Sequence, residues 1–101
     1  MRPLQWLTFE VSDDTDGIGT IEGMASTAAL SHEAAMAEAR AVLDWAHARF
    51  PQAHGPLDEG FVWDHDLQLT QDGDWHTVTL TLSGTEAFVD AFKQAFADSL
   101  A

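Results

Sequence analysis

At 101 residues the chain has room for one domain with a single core, and with no cysteine it has no disulfides, thiolate metal sites or thiol nucleophiles. Seventeen acidic residues against four basic ones leave a formal net charge of -13, which repels nucleic-acid phosphates, anionic lipid and polyanionic metabolites and attracts a basic protein partner or a cation. Nothing approaches the ~20 apolar residues of a membrane span, and Met1 to Leu7 has neither the basic start nor the apolar run of a secretion signal. The expectation is a soluble, cytoplasmic protein with no membrane or direct nucleic-acid contact.

Leu4 to Val11 alternates, with Leu7, Phe9 and Val11 on one side and Trp6, Thr8 and Glu10 on the other, which predicts a first strand. Ser12 to Gly17 is a turn by composition, and a weaker strand follows from Ile18 to about Ala25, interrupted by Gly19 and Gly23. Closing Ser12 on Ile18 would pair Phe9 with Ile21 and Leu7 with Gly23. Ser31 is the expected N-cap of a helix, with Glu33 in its first turn, and helical propensity reaches back to near Thr27. Ala35, Ala39, Val42, Leu43, Ala46 and Phe50 fall on one arc of that helix, with Met36 at the edge, and Pro51 discourages its continuation. The opposite side carries Asp44, Ala37, Ala41 and Ala48, with Trp45 nearer the flank. Pro51 to Gly60 is a connection punctuated by Pro51, Gly55, Pro56 and Gly60.

Phe61 to Gly84, FVWDHDLQLTQDGDWHTVTLTLSG, is the clearest signal in the chain. Two runs rich in Val, Leu, Thr and Trp flank Asp72-Gly73, a dipeptide suited to a two-residue hairpin loop. With that loop, Leu69 faces His76, Leu67 faces Val78, His65 faces Leu80 and Trp63 faces Leu82. The other side pairs Thr70 with Trp75, Gln68 with Thr77, Asp66 with Thr79 and Asp64 with Thr81. One side is apolar and the other polar, the pattern of an antiparallel sheet covered on one side only. Ser83 to Glu86 has capping-box spacing, and Phe88, Phe92 and Phe96 recur every four residues in a second amphipathic helix ending near Leu100. The order predicts an α+β two-layer sandwich, ββαββα, with a four-stranded antiparallel sheet and two helices on one face.

The chemistry is less legible. Asp14 to Ile21 begins like a calcium loop, but Ile18 occupies a ligand position and Ala25 stands where the bidentate glutamate belongs. The acidic cluster Asp13, Asp14 and Asp16 retains the chemistry for weak cation binding. In Asp64-His65-Asp66, strand parity sends the two carboxylates to the polar face and His65 toward the helices, so the three cannot meet on one ion without a bulge. Asp64 and Asp66 alone would sit ~7 Å apart, close enough to share a hydrated divalent cation. His65 reads as a hydrogen-bonded histidine at the core or its edge. His32 lies near the first helix's start, His47 on its border, His54 in the connection and His76 at the hairpin end, and no pair has the spacing of a helical zinc site. No nucleophile elbow or phosphate-binding loop is present, and Lys93 is the single lysine.

The polar sheet face is the surface that points to function. Trp6, Trp75, Thr77, Thr79, Asp64 and Asp66 are its candidate partner-binding residues, with tryptophan as the anchor and acids and threonines as the surround. The leading expectation is a small acidic protein-binding module, adaptor or regulatory, that engages a protein of basic or mixed surface, with a homodimer as one form of association. The alternative is a divalent-cation or small-molecule binding domain, up to a weak hydrolase, in which Asp64 and Asp66 hold the metal. No cofactor is implied, and no catalytic residue is assigned.

Overall fold

The computed structural model describes residues 4–13 and 17–100. Its elements are β1 (Thr8–Asp13), β2 (Ile18–Ala28), α1 (Ala29–Arg49), β3 (Trp63–Asp72), β4 (Trp75–Thr85) and α2 (Glu86–Ala95), with 3-10 turns at Leu57–Glu59 and Ala97–Ser99. The strands form one antiparallel sheet in the order β1-β2-β4-β3, and both helices lie across β2 and β4. The fold is the expected α+β arrangement. No described helix is long and apolar enough to cross a membrane. The expected acidic loop at Asp14 to Asp16 lies outside the described residues.

Alternation builds the sheet. In β2, Gly19, Ile21, Gly23, Ala25 and Thr27 are buried, while Thr20, Glu22, Met24, Ser26 and Ala28 are exposed. In β4, Val78, Leu80, Leu82 and Gly84 are buried beneath the helices. Both hairpins, however, close two residues away from the expected registers. Asp72 pairs with Trp75, so the loop is Gly73-Asp74, Leu69 faces Val78 and Leu67 faces Leu80. Gly73, at φ 60°, is the first loop residue, the position where a type II′ turn calls for glycine. In the first hairpin Phe9 faces Gly23 and Val11 faces Ile21. The Phe9 ring lies on Gly23, where a Cβ would overlap it. A two-residue offset returns every side chain to its own face, so the predicted faces persist.

The helix starts are also corrected. Pairing of Ala28 with Trp75 holds β2 to its last residue. The chain therefore enters α1 at Ala29 with no side-chain cap, and Ser31 lies inside the helix. At α2 the cap is Thr85, whose hydroxyl accepts the Phe88 N–H at 3.4 Å. Ser83 and Gly84 remain in β4, because the strand pairs with β2 and β3 up to Gly84. The helix ends at Ala95, and the chain tightens into the final 3-10 turn before Leu100.

The two halves of the chain are related by an approximate two-fold axis through the sheet. β2 and β4 are both 11 residues long, and each runs straight into its helix. Their middle residues, Gly23 and Leu80, pair with each other. The core fills the space between sheet and helices by complementary volumes. α1 buries Ala35, Ala39, Val42 and Ala46, whereas α2 buries Phe88, Val89 and Phe92. Trp45 is not on the free back of α1. It sits between the helices, with its ring 5.2 Å from Phe96, 5.9 Å from Phe88 and 6.0 Å from Phe92.

Both edge strands are held by returning chain. After α2, Leu100 makes a parallel bridge to Phe9 of β1, and after α1, His54 makes one to Trp63 of β3. Residues 4–7, expected in the first strand, are instead tied elsewhere. Glu38 of α1 accepts the backbone N–H groups of Gln5, Trp6 and Leu7 at 2.7, 2.9 and 3.0 Å. The Leu4 N–H donates to Ser99 Oγ at 3.2 Å, joining the two ends of the described chain.

Candidate functional site

The sheet side facing away from the helices is uncovered. Its cross-strand rows are fixed by the registers. Glu10 faces Glu22, Glu22 faces Thr81 and Thr81 faces Asp66, so three carboxylates lie along one row spanning three strand spacings, ~14 Å. Glu10 and Glu22 are like charges directly opposite each other, an arrangement that costs stability. A parallel row carries Thr8, Met24, Thr79 and Gln68, and a further one carries Ser26, Thr77 and Thr70, with Ser26 Oγ 2.9 Å from Thr77 Oγ1. Ala28, Trp75 and Asp72 form the row at the hairpin end. Trp75 is 58% exposed and Met24 49% exposed. From Trp75 to Thr81 the strand runs six residues, ~20 Å.

Charge is segregated between the layers. Arg40 and Arg49 belong to α1 and Lys93 to α2. Among the described residues the outer sheet face holds no lysine or arginine, so its formally charged side chains are all acidic.

The second candidate lies at the start of β3. Pro51 ends α1, and the chain turns at Gln52, in the left-handed region at φ 58°. It then returns alongside the edge strand. Ala53 O accepts the Val62 N–H at 3.0 Å, and the Gly55 N–H donates to Trp63 O at 2.9 Å. Between those anchors His54 is placed beside β3. Its Nε2 is 2.8 Å from His65 Nδ1 and 3.2 Å from Asp64 Oδ1. Asp64 Oδ1 also accepts the His65 N–H at 2.9 Å. The donor atoms of His54, Asp64 and His65 all lie within 4.8 Å of one another.

The chemistry of this group assigns its proton. A carboxylate is an acceptor only, so a bare lone pair on His54 Nε2 would face the Asp64 oxygen in repulsion. The arrangement selects the tautomer with the proton on His54 Nε2, shared between Asp64 Oδ1 and His65 Nδ1. Beneath the group, Trp63 is fully buried and stacked on Phe88 with centroids 5.5 Å apart. The rings of His54 and His47 approach Trp63 at 4.5 and 4.9 Å. Burial first, and then His54, hold the His65 imidazole below the usual histidine range, while Asp64 pulls the other way.

The expected site residues thus divide. Trp75, Thr77, Thr79 and Asp66 lie on the outer face in strand rows. Trp6 precedes β1, and its backbone is tied to α1 through Glu38 instead of following the strand alternation. Asp64 and His65, which strand parity separates, are brought together by the third residue, His54. Asp66 is exposed and outside that group. His54 was not assignable as a partner from the sequence, because the path of a Pro/Gly connection is not periodic. The available signal was the placement of His47, His54 and His65 around one helix-to-strand return. A cavity of about 360 Å³ lies between the start of β2 and α2, lined by residues including Gly17, Gly19, Glu86 and Lys93, and shares no residue with either candidate. The chain matches no protein-family model, no curated protein and no solved structure.

Proposed function

We propose that the protein is a small acidic protein-binding module whose outer sheet face engages a partner presenting lysine or arginine side chains. The observation that carries this reading is the row of Glu10, Glu22 and Asp66 on a face without a basic residue among the described ones. Glu10 opposite Glu22 is an unfavourable pair in the isolated protein. A cationic group laid between them turns that repulsion into attraction, which gives the partner a reason to bind there. Trp75 supplies the aromatic anchor at the other end, and the Thr77 and Thr79 hydroxyls lie between. Long-range attraction sets the encounter rate, and burial of the indole slows release.

The test is capture from lysate at low and moderate salt, followed by reconstitution with the purified partner. Wild type should bind in a salt-sensitive way, whereas Trp75→Ala and Glu22→Lys should each lose binding. Glu22→Lys replaces a like pair by an opposite one, so its fold should be at least as stable, by up to ~1 kcal/mol. Its loss of binding therefore cannot be ascribed to unfolding. A partner retained by both variants, or no partner captured at low salt, overturns the reading.

A further inference from the structure

The group at the start of β3 has a chemistry distinct from the outer face. We infer that His54 Nε2, His65 Nδ1 and Asp64 Oδ1 form a binding site for one divalent d-block cation of the zinc class. The three atoms converge from two separate chain segments, and that convergence is maintained by backbone bonding on both sides of His54. The acceptor atoms of Asp64 and His65 both address the one proton on His54 Nε2. A cation takes the place of that proton.

The two donor pairs that include His54 need little adjustment. Metal–nitrogen distances of 2.0–2.1 Å at a tetrahedral angle put neighbouring donors ~3.3 Å apart. His54 Nε2 and His65 Nδ1 are 2.8 Å apart, so they must open by ~0.5 Å, while His54 Nε2 and Asp64 Oδ1 already stand at 3.2 Å. The ring of His47, exposed at the end of α1, has its centroid 5.4 Å from that of His54.

Donor type selects the ion. Two imidazoles and one carboxylate suit zinc, copper, nickel or cobalt, whereas magnesium and calcium prefer oxygen throughout. Asp64 and Asp66, the pair expected from strand spacing to share a hydrated cation, are thereby separated, with Asp64 in the histidine group and Asp66 out on the acidic row. The other close imidazole pair, His32 and His76, has centroids 4.6 Å apart but no third donor in the same reach among the described residues. It serves as an internal control.

The experiment is a competition titration of tag-free protein with Zn²⁺ against a chromogenic chelator. Wild type should bind one equivalent. His54→Ala and His65→Ala should each weaken binding by more than ~100-fold, beyond the 10–100-fold typical of groups that only orient a ligand. His76→Gln should leave affinity unchanged, and Mg²⁺ should not compete. Wild-type affinity no tighter than that of the His54→Ala, His65→Ala double variant overturns the site. Because a variant could fail to fold, the same ion is also added to wild type while the histidine ring resonances are followed. Those of His54 and His65 should move together at one equivalent while those of His32 and His76 stay. The reverse pattern, or no movement, also overturns it.

Discussion

The two ββα halves share a backbone plan and almost nothing else. Through the Gly23–Leu80 pair, Phe9 in the first half occupies the place of Leu67 in the second. The first half places glycine and alanine in its central strand and alanine on its helix. The second half answers with Val78, Leu80 and Leu82 in the strand and phenylalanine on the helix. What must be conserved across the axis is the total volume between sheet and helices, and it can be divided very unequally. The same inequality places the chemistry. After α2 the returning chain sets Leu100 beside Phe9, an apolar contact, whereas after α1 it sets His54 beside Trp63 and within reach of Asp64 and the half-buried His65.

The sharpest way to break this complementarity is to empty the large-residue half. Phe92 is fully buried against Phe9 at 5.0 Å and Trp45 at 6.0 Å, and the small side chains of α1 cannot move in to fill its space. Phe92→Ala should cost ~3–5 kcal/mol by denaturant unfolding, and a loss below 1 kcal/mol would show that the core collapses around the gap. Next in size is filling the small-residue half. A Cβ on Gly23 overlaps the Phe9 ring, so Gly23→Ala should cost ~1–3 kcal/mol, despite the propensity gain of alanine over glycine in a strand. A neutral or stabilising result would mean that the ring does not rest there.

The smallest effect sharpens the chemical difference. His65 is held below its ordinary value near ~6.5 by burial and His54, faced also by His47 and, in the opposite sense, by Asp64 and Asp66. A lowered histidine value means that the unfolded chain takes up the proton first. Stability should therefore fall as pH drops through ~6.5 and level off below the folded value, with no change above ~6.5. Thermal melts of metal-free protein between about pH 7.5 and about pH 5.5 should slope more steeply for wild type than for His65→Asn. Coincident slopes would remove His65 as the titrating group.

Side-chain period made the sheet's two faces legible. Alternation is indifferent to shifts of two residues, which is why the faces are as predicted although both registers moved. Register was decided by features that period does not encode, namely a positive φ at Gly73 and a phenylalanine ring seated on Gly23. The start of α1 was obscured because the strand, by pairing Ala28 with Trp75, determines where the helix begins, overriding the local cap signal at Ser31. The histidine group was hidden for a related reason. Parity correctly assigns Asp64 and His65 to different sides of β3, but at an edge strand a returning segment can reach both. The outer face, by contrast, depends on alternation, which places Trp75, Thr77, Thr79 and Asp66 there, whereas Glu38 draws Trp6 out of the strand, His54 meets Asp64, and the opposition of Glu10 to Glu22 had to await the register.

The bond between Leu4 and Ser99 closes the described chain into something near a ring. Read from β1, the ring spells strand, strand, helix twice, and read from β3 it spells the same word. A circular permutant opened between α1 and β3 would thus begin with the half that now comes second, yet keep the element order and every neighbour in the sheet. Its new ends would lie beside His54, at a place where the two halves differ in chemistry as well as in volume.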